Sequence, residues 1–389
     1  MAATGERTPR IDAADLGSTL PIVLDAIESD HADMASVSRA SVLICRAFAC
    51  PTVVTRFRSE SGGGLSGDVP PSAPQCAIST FTSSSTSPTS GAPVPETARV
   101  NPLIDLLEAD KPVFSVWVNY YGVSADHQVA ATAQANPSYD FYLYDLEHQP
   151  YDVERLRRFL QDLLDPDVLA TQGRAAIKPV IARIPSAGRE LNSWVVKQVL
   201  DAGVAGLMFP HIETAEEALA AVAAARYPQK PGAPDYEPEG RRGFSPAVPA
   251  RYRGVDQLAY VERSDIWGLD PNGELVLIFI IESRKGIQNV HSIAKALHDA
   301  GVKAILWAGG GDLALSNGEP PYGGAMPKTI DGIHAVLAAG SEFGLPVGLN
   351  DYTDIEVNYT KGARAFFAIG PHMLAASPLT AGQRSALGR

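Results

Sequence analysis

From about residue 100 onward the sequence predicts an α/β protein folded as one (β/α)8 TIM barrel, and three observations predict it. Eight short apolar runs alternate with helical patterns. The runs are apolar at nearly every position, as strands buried on both faces are. The series fits into about 290 residues, which favours a closed barrel.

In chain order the runs are VFSVWVN (113–119), FYLYDLE (141–147), KPVIARIP (178–185), GLMFPH (206–211), VLIFIIE (276–282), AILWAG (304–309), LPVGLN (345–350) and AFFAIG (365–370). Between them VERLRRFLQDLL, SWVVKQVLDAG, TAEEALAAVAAARY, IQNVHSIAKALHDAG, IDGIHAVLAAGSEFG and TDIEVNYTKGA have helical spacing, several closed by the glycine that suits a helix C-terminus. A doubly wound open sheet is the competing architecture. It would more often open on a Gly-rich strand-to-helix turn, and no GxGxxG follows the first run. The longest interruption, residues 229–272, is rich in Pro, Gly and Arg and reads either as a lid or subunit-contact segment or as a solvated insertion.

Residues 1–99 differ in texture. Stretches such as SESGGGLSGDVPPSAP and STFTSSSTSPTSGAPVP predict a low-complexity, disordered extension, with the barrel domain spanning 100–389. The segment from Met34 has four arginines, several serines and no acid until Glu60, the composition of a transit peptide. An acidic stretch precedes it, so a cytoplasmic location is the expectation and organelle targeting the alternative.

The 389 residues are 45% hydrophobic and 20% charged, the composition of a soluble globular protein. No apolar run reaches the roughly 20 residues of a membrane span, so no membrane partner is expected. A formal charge of −12 without a basic block argues against nucleic acid. A small, metal-neutralised anion fits it better. Cys45, Cys50 and Cys76 all precede the barrel, which leaves no basis there for a disulfide framework or a thiolate metal site.

Barrel active sites lie at the C-terminal ends of the strands, and the polar residues concentrate there. The second run ends Asp145-Leu146-Glu147-His148, the third near Arg183, the fourth at His211, the fifth at Glu282, and the sixth runs into Gly309-Gly310-Gly311-Asp312. Glu282 closes an apolar strand, where a carboxylate is costly without a cation or hydrogen bonds. Adjacent strands lie about 4.8 Å apart, so Glu282 and Asp312 can share one hard divalent cation. The plain alternative pairs Glu282 with Arg284 or Lys285 and uses Asp312 to cap the helix that follows.

The three glycines allow close backbone approach, and their N–H groups can hold a carboxylate as an anion nest does. Arg183 is the cation inside an apolar strand, suited to a carboxylate or an enolate oxygen, or to a salt bridge with Asp145 or Glu147. His148 suits acid–base work, with Asp145 orienting it or holding a water. His211 and His372 are further strand-end histidines with less in their favour. A Schiff-base mechanism needs a lysine in the barrel mouth. Lys178 opens its strand at the wrong end, Lys197 and Lys303 belong to helices or their exits, and Lys285 sits past its strand, so metal-dependent chemistry is favoured.

At these residues the chain resembles the HpcH/HpaI aldolase and citrate lyase superfamily, specifically its metal-dependent class II pyruvate aldolases, over roughly 101–372. The resemblance rests on YLYDLEH, IARIP, VLDAGVAGLMFPHIETAEEALAAVAAARYP, RRG, IIES and GGGDLALSNG. It implies that Glu282 and Asp312 bind Mg2+, Mn2+ or a similar ion such as Co2+, which chelates a small 2-oxo acid. It also implies that Arg183 stabilises the enolate oxygen and that His148 with Asp145 is the acid–base pair. The backbone at Gly311 and Asp312 would contact the substrate carboxylate, and Trp117 would stand at the mouth of the site. The family forms hexamers or related oligomers (a trimer of dimers) and exchanges its last helix, so a homo-oligomer acting on a 2-oxo acid and an aldehyde is expected.

Gly310 replaces the family's proline, Ile280 replaces a frequent glutamine, and the C-terminal tail is short for an exchanged helix. The reaction class is then a carbon–carbon lyase. Oxaloacetate-type decarboxylation, acyl-CoA cleavage and a non-catalytic ligand-binding barrel are the alternatives.

Overall fold

The computed structural model describes residues 99–120, 125–185, 193–321, 324–350, 354–368, 377 and 379–389, all within one compact unit. Apart from Arg99, the extension expected over 1–99 lies outside the described residues, as does His372.

Eight strands close a parallel barrel in sequence order: β1 (Val113–Trp117), β2 (Phe141–Asp145), β3 (Val180–Arg183), β4 (Gly206–Phe209), β5 (Val276–Ile281), β6 (Ala304–Ala308), β7 (Val347–Leu349) and β8 (Ala363–Ala368). All eight coincide with the apolar runs. The helices are α1 (Pro102–Glu108), α2 (His127–Ala135), α3 (Val153–Asp162), α4 (Pro166–Gln172), α5 (Ser193–Ala202), α6 (Ala215–Ala225), α7 (Ala247–Arg253), α8 (Gln257–Arg263), α9 (Arg284–Asp299), α10 (Gly310–Asn317), α11 (Pro327–Phe343), α12 (Ile355–Thr360) and α13 (Ala381–Ala386). Among the described residues no helix is long and apolar enough to cross a membrane.

Side chains alternate across a strand, and that period sorts the barrel into two cores. Val113, Phe141, Leu143, Ile181, Met208, Val276, Ile278, Ile280, Ile305, Trp307, Ala365 and Phe367 pack together as the inner core. Their neighbours in sequence, among them Phe114, Tyr142, Val180, Leu207, Leu277 and Phe279, pack with residues of the surrounding helices. Continuing the inward parity upward leads to Trp117, Asp145, Arg183 and Glu282, so the same alternation that fills the barrel delivers these residues to its mouth.

The opposite end is closed by α1. Asn101 caps it by accepting from Leu103 N, and Leu103 and Ile104 are fully buried against the inner core. Glu274, almost wholly buried just before β5, anchors this floor. It accepts Val100 N–H at 3.2 and 3.1 Å and faces Arg253 at 3.3 Å and Arg263 at 3.5 Å.

The 229–272 segment is a correction to the lid reading. It holds α7 and α8, and Arg253 of α7 reaches Val204 O and Glu274 at the floor, not the mouth. Arg226, fully buried, pins it through Asp265 at 2.6 Å and Asp235 at 3.1 Å. Arg242 does so through Asp201 at 2.9 Å while lying 4.4 Å from the Tyr227 ring and 5.6 Å from that of Tyr260. The segment is more than a solvated insertion, because buried Arg226 takes its carboxylates from it and buried Arg242 reaches from it to Asp201 of α5.

The C-terminal tail, short for an exchanged helix, forms the six-residue α13 with a Thr380–Gln383 capping box. It turns back on its own barrel, where Arg384 meets Ser138 at 2.8 Å and Arg389 pairs with Asp140.

Because Glu274 is the shared acceptor of a backbone N–H and two arginines, its removal strands buried cations. Glu274→Ala is expected to lower the unfolding free energy by about 3–5 kcal/mol, measured by urea denaturation. A loss below about 1 kcal/mol would show that the floor does not depend on it.

Candidate active site

The mouth is built from the ends of six strands, β1 to β6. Asp145 and Arg183 are register partners on β2 and β3, and Arg183 Nε donates to Asp145 Oδ1 at 2.8 Å. The same nitrogen lies 3.2 Å from Glu147 Oε2. Burial works against the guanidinium charge, but the Asp145 hydrogen bond and the two carboxylates outweigh it and hold the Arg183 pKa above its ordinary value. Its face is covered by aromatic rings, with Trp117 at 4.5 Å and Tyr120 at 5.5 Å from the guanidinium carbon. Asn119 carries the β1–β2 pairing past the strand ends by donating to Asp145 O at 2.8 Å and accepting Asp145 N–H at 2.6 Å.

Asp145 is held by more than its ion pair. Its Oδ1 also accepts the backbone N–H groups of Glu147 at 3.1 Å and His148 at 3.4 Å. The expectation that Asp145 orients the His148 ring is therefore not the arrangement found. Strand register turns Asp145 toward Arg183, and the half-exposed His148 ring instead has Nε2 3.5 Å from Glu147 Oε2. Burial, then the nearby Arg183 charge, lowers the His148 pKa and favours the neutral ring.

Glu282 stands just beyond β5 and is buried, with 7% of its surface exposed. Neither Arg284 nor Lys285 pairs with it. Lys285 Nζ goes to Glu213 at 3.2 Å, and Glu282 instead faces His211, whose Nδ1 lies 3.3 Å from Glu282 Oε1 while its backbone N–H donates to that oxygen at 2.8 Å. Burial first, then the charges of Asp312 and Glu147, raise the Glu282 pKa to about 8.

The glycines divide in role. A Cβ at Gly309 would come within 2.7 Å of Glu282 Oε2, so this glycine makes room for the carboxylate, whereas Gly310 and Gly311 meet no such obstacle. All three lead directly into α10, with Gly309 as N-cap and Asp312, exposed, in the first turn. The anticipated Asp312 side-chain cap is absent. Ile280 faces the inner core and adds no polar group.

Asp145, Glu147, Glu282 and Asp312 are four carboxylates against one guanidinium, all of oxygen-donor type. That excess, the elevated Glu282 and the space at Gly309 fit a hard divalent cation. Among the described residues no group of three or more His, Cys, Asp or Glu forms a metal cluster. Two carboxylates with water or substrate are the donor set that remains. Two buried atoms of the site, Asp145 Oδ2 and Arg183 Nη2, have no hydrogen-bond partner among the described residues.

A closed (β/α)8 barrel with an acid-rich, arginine-centred mouth is an enzyme scaffold suited to developing negative charge on a small acid. The comparisons with known proteins make the class specific. The chain belongs to the HpcH/HpaI aldolase/citrate lyase family, whose description matches residues 120–373. It is 33% identical over 250 residues to a hydroxypyruvate/pyruvate aldolase of Paraburkholderia phytofirmans, covering 64% of this chain and 82% of that one. A 5-keto-4-deoxy-D-glucarate aldolase of Escherichia fergusonii is 29% identical over 260 residues, covering 63% and 87%. A crystal structure of a family protein from Burkholderia cenocepacia matches with TM-score 0.54 at 28% identity, covering 74% of this chain and 98% of that one. The chain is a lyase of the aldolase type.

The Glu282 shift has a testable sign. Its folded pKa lies above the ordinary 4.5, so the metal-free fold binds this proton more tightly than the unfolded chain does. The stabilisation is complete below about pH 4.5 and is lost as pH rises through about 8. Urea midpoints of metal-free protein should fall across that window, and Glu282→Gln should lose that component of the slope. An unchanged slope in the variant would assign the titration elsewhere.

Proposed function

We propose that this chain cleaves, and in reverse forms, the carbon–carbon bond of a 4-hydroxy-2-oxo acid through a pyruvate-type enolate, with Glu282 and Asp312 holding a divalent cation. The observation that carries the reading is Arg183 Nη2, without a hydrogen-bond partner among the described residues, buried beneath Trp117 and anchored through Nε to Asp145. A buried donor held in place at a strand end is what an oxyanion needs.

In the cleavage direction the neutral His148 ring, acting through water, accepts the C4 hydroxyl proton. The C3–C4 electron pair passes into the enolate as the aldehyde leaves. Arg183 Nη2 donates to the enolate oxygen, the backbone N–H groups at Gly311 and Asp312 receive the carboxylate, and the proton returns to C3 to give the 2-oxo acid. A bound cation would supply Lewis-acid stabilisation of the charge on those oxygens. Mg2+, Mn2+ and Co2+ all suit the oxygen donors. A homo-oligomer, hexamer or trimer of dimers, is proposed on the family resemblance and is read directly by sedimentation.

The test is exchange of the pyruvate methyl protons in deuterated water, followed by NMR. Chelated enzyme should be silent, and Mg2+, Mn2+ or Co2+ should restore exchange. Arg183→Ala should reduce it by about a hundredfold or more. Absence of exchange with all three cations would refute the enolate reading, and carbon dioxide without aldehyde from the natural substrate would make the chain a decarboxylase.

The metal assignment has its own check. Glu282→Ala and Asp312→Ala should each abolish metal-dependent turnover while circular dichroism still reports the folded barrel. Turnover retained in both would remove these residues from the metal site.

A further inference from the structure

We infer that His211 is a positioning residue for the metal site, one that clamps a single oxygen of Glu282 and leaves the other to the cation. The inference rests on the proposed cation at Glu282 and Asp312 and assigns a role to a residue outside that pair.

Strand parity does not send His211 to the mouth. Met208 is the inward residue of β4, and by alternation residue 211 would turn outward. It is brought round by its own backbone, which has φ of 55°, one of three non-glycine residues with positive φ among those described. A left-handed histidine costs on the order of 1 kcal/mol or more, and such positions persist where surrounding contacts fix them. The contacts here are specific. The turn points the backbone N–H of His211 at Glu282 Oε1 at 2.8 Å and sets ring Nδ1 3.3 Å from the same atom. On its far side ring Nε2 lies 3.7 Å from Glu147 Oε1.

The consequence is an asymmetric carboxylate. Oε1 of Glu282 is engaged by His211, whereas Oε2 lies on the side of Gly309, where a Cβ would come within 2.7 Å of it. That is also the side of α10, whose first turn carries Asp312. Glu282 is thereby preset to offer one oxygen toward its partner, and Glu147 is tied into the same frame from β2. Without the imidazole the carboxylate gains rotational freedom that a cation must then remove on binding.

Binding of Mn2+ to the full chain, measured by calorimetry and by loss of the free Mn2+ electron paramagnetic resonance signal, tests this without reference to turnover. His211→Ala should weaken Mn2+ binding about tenfold while the fold, followed by circular dichroism, persists. His211→Asn, which tolerates the left-handed backbone and keeps a donor, should stay within about threefold of the parent. Parent-like Mn2+ affinity in His211→Ala, with binding lost in Glu282→Ala, would overturn the clamp and leave the metal reading standing. Parent-like affinity in Glu282→Ala would overturn the metal reading itself. If His211→Ala is unfolded, the Asn variant decides alone, because a tenfold loss there also overturns the inference.

Discussion

The arrangement of the mouth depends on one charge that the barrel must accommodate. Arg183 follows Ile181 in the inner core by a single inward step, so its guanidinium leaves water at a place where an unpaired cation is not tolerable. Asp145 answers from the paired position on β2, and Glu147, two residues on, answers from the same face. Trp117 and Tyr120 cover the guanidinium plane, where a cation gains from the ring electrons. Each of these residues is constrained by Arg183 before any substrate is considered. Asp145 Oδ1 in particular is taken by Arg183 and by the backbone N–H groups of Glu147 and His148.

Neutralising Arg183 takes fewer carboxylates than the mouth contains. Glu282 is the one left with a burial penalty, two acidic neighbours and mainly His211 to offset them, and its elevated pKa expresses that mismatch. A protein selected for stability alone would place an apolar residue there, as it does at Ile278 and Ile280 on the same inward line. Local disagreement between charge and burial is where function is expected, and the divalent cation proposed at Glu282 and Asp312 would resolve it.

Much of this was legible in the sequence because a barrel strand has a period of two. Once the eight runs are aligned, Trp117, Asp145, Arg183 and Glu282 fall on the inward parity, and the strands end within a residue or two of the expected places. Parity fails at His211, whose turn depends on a backbone torsion that no residue type announces. Glu147, readable from the sequence as a salt-bridge partner of Arg183, shares the inward line with Asp145 and makes that contact, whereas the neighbouring His148, with the more recognisable chemistry, sits half exposed. The shorter helices carried a signal that was available, since Asn101, Asp126, Asp165 and Asp256 each accept a backbone N–H as helix caps. The 229–272 segment lacked any such guide. Its place at the floor is set by Arg226 and Arg242 meeting carboxylates far along the chain, and composition alone gave no sign of those pairings.

Two buried arginines show how the same side chain serves the two ends of the barrel. Arg226 spends every nitrogen: Nε on Asp265, Nη1 on the carbonyls of Asp235 and Pro238, and Nη2 on Asp235 and Asp265. Such a guanidinium is a fixed strut, with nothing left to offer a ligand. Arg183 is anchored as firmly through Nε, yet Nη2 has no partner among the described residues. Leaving a buried donor unmade is unfavourable by about 1–3 kcal/mol, and an oxyanion placed there recovers that loss at the moment charge develops on it. Arg183 thus differs from Arg226 in holding back one donor from the fold, at the strand end where the proposed oxyanion would form.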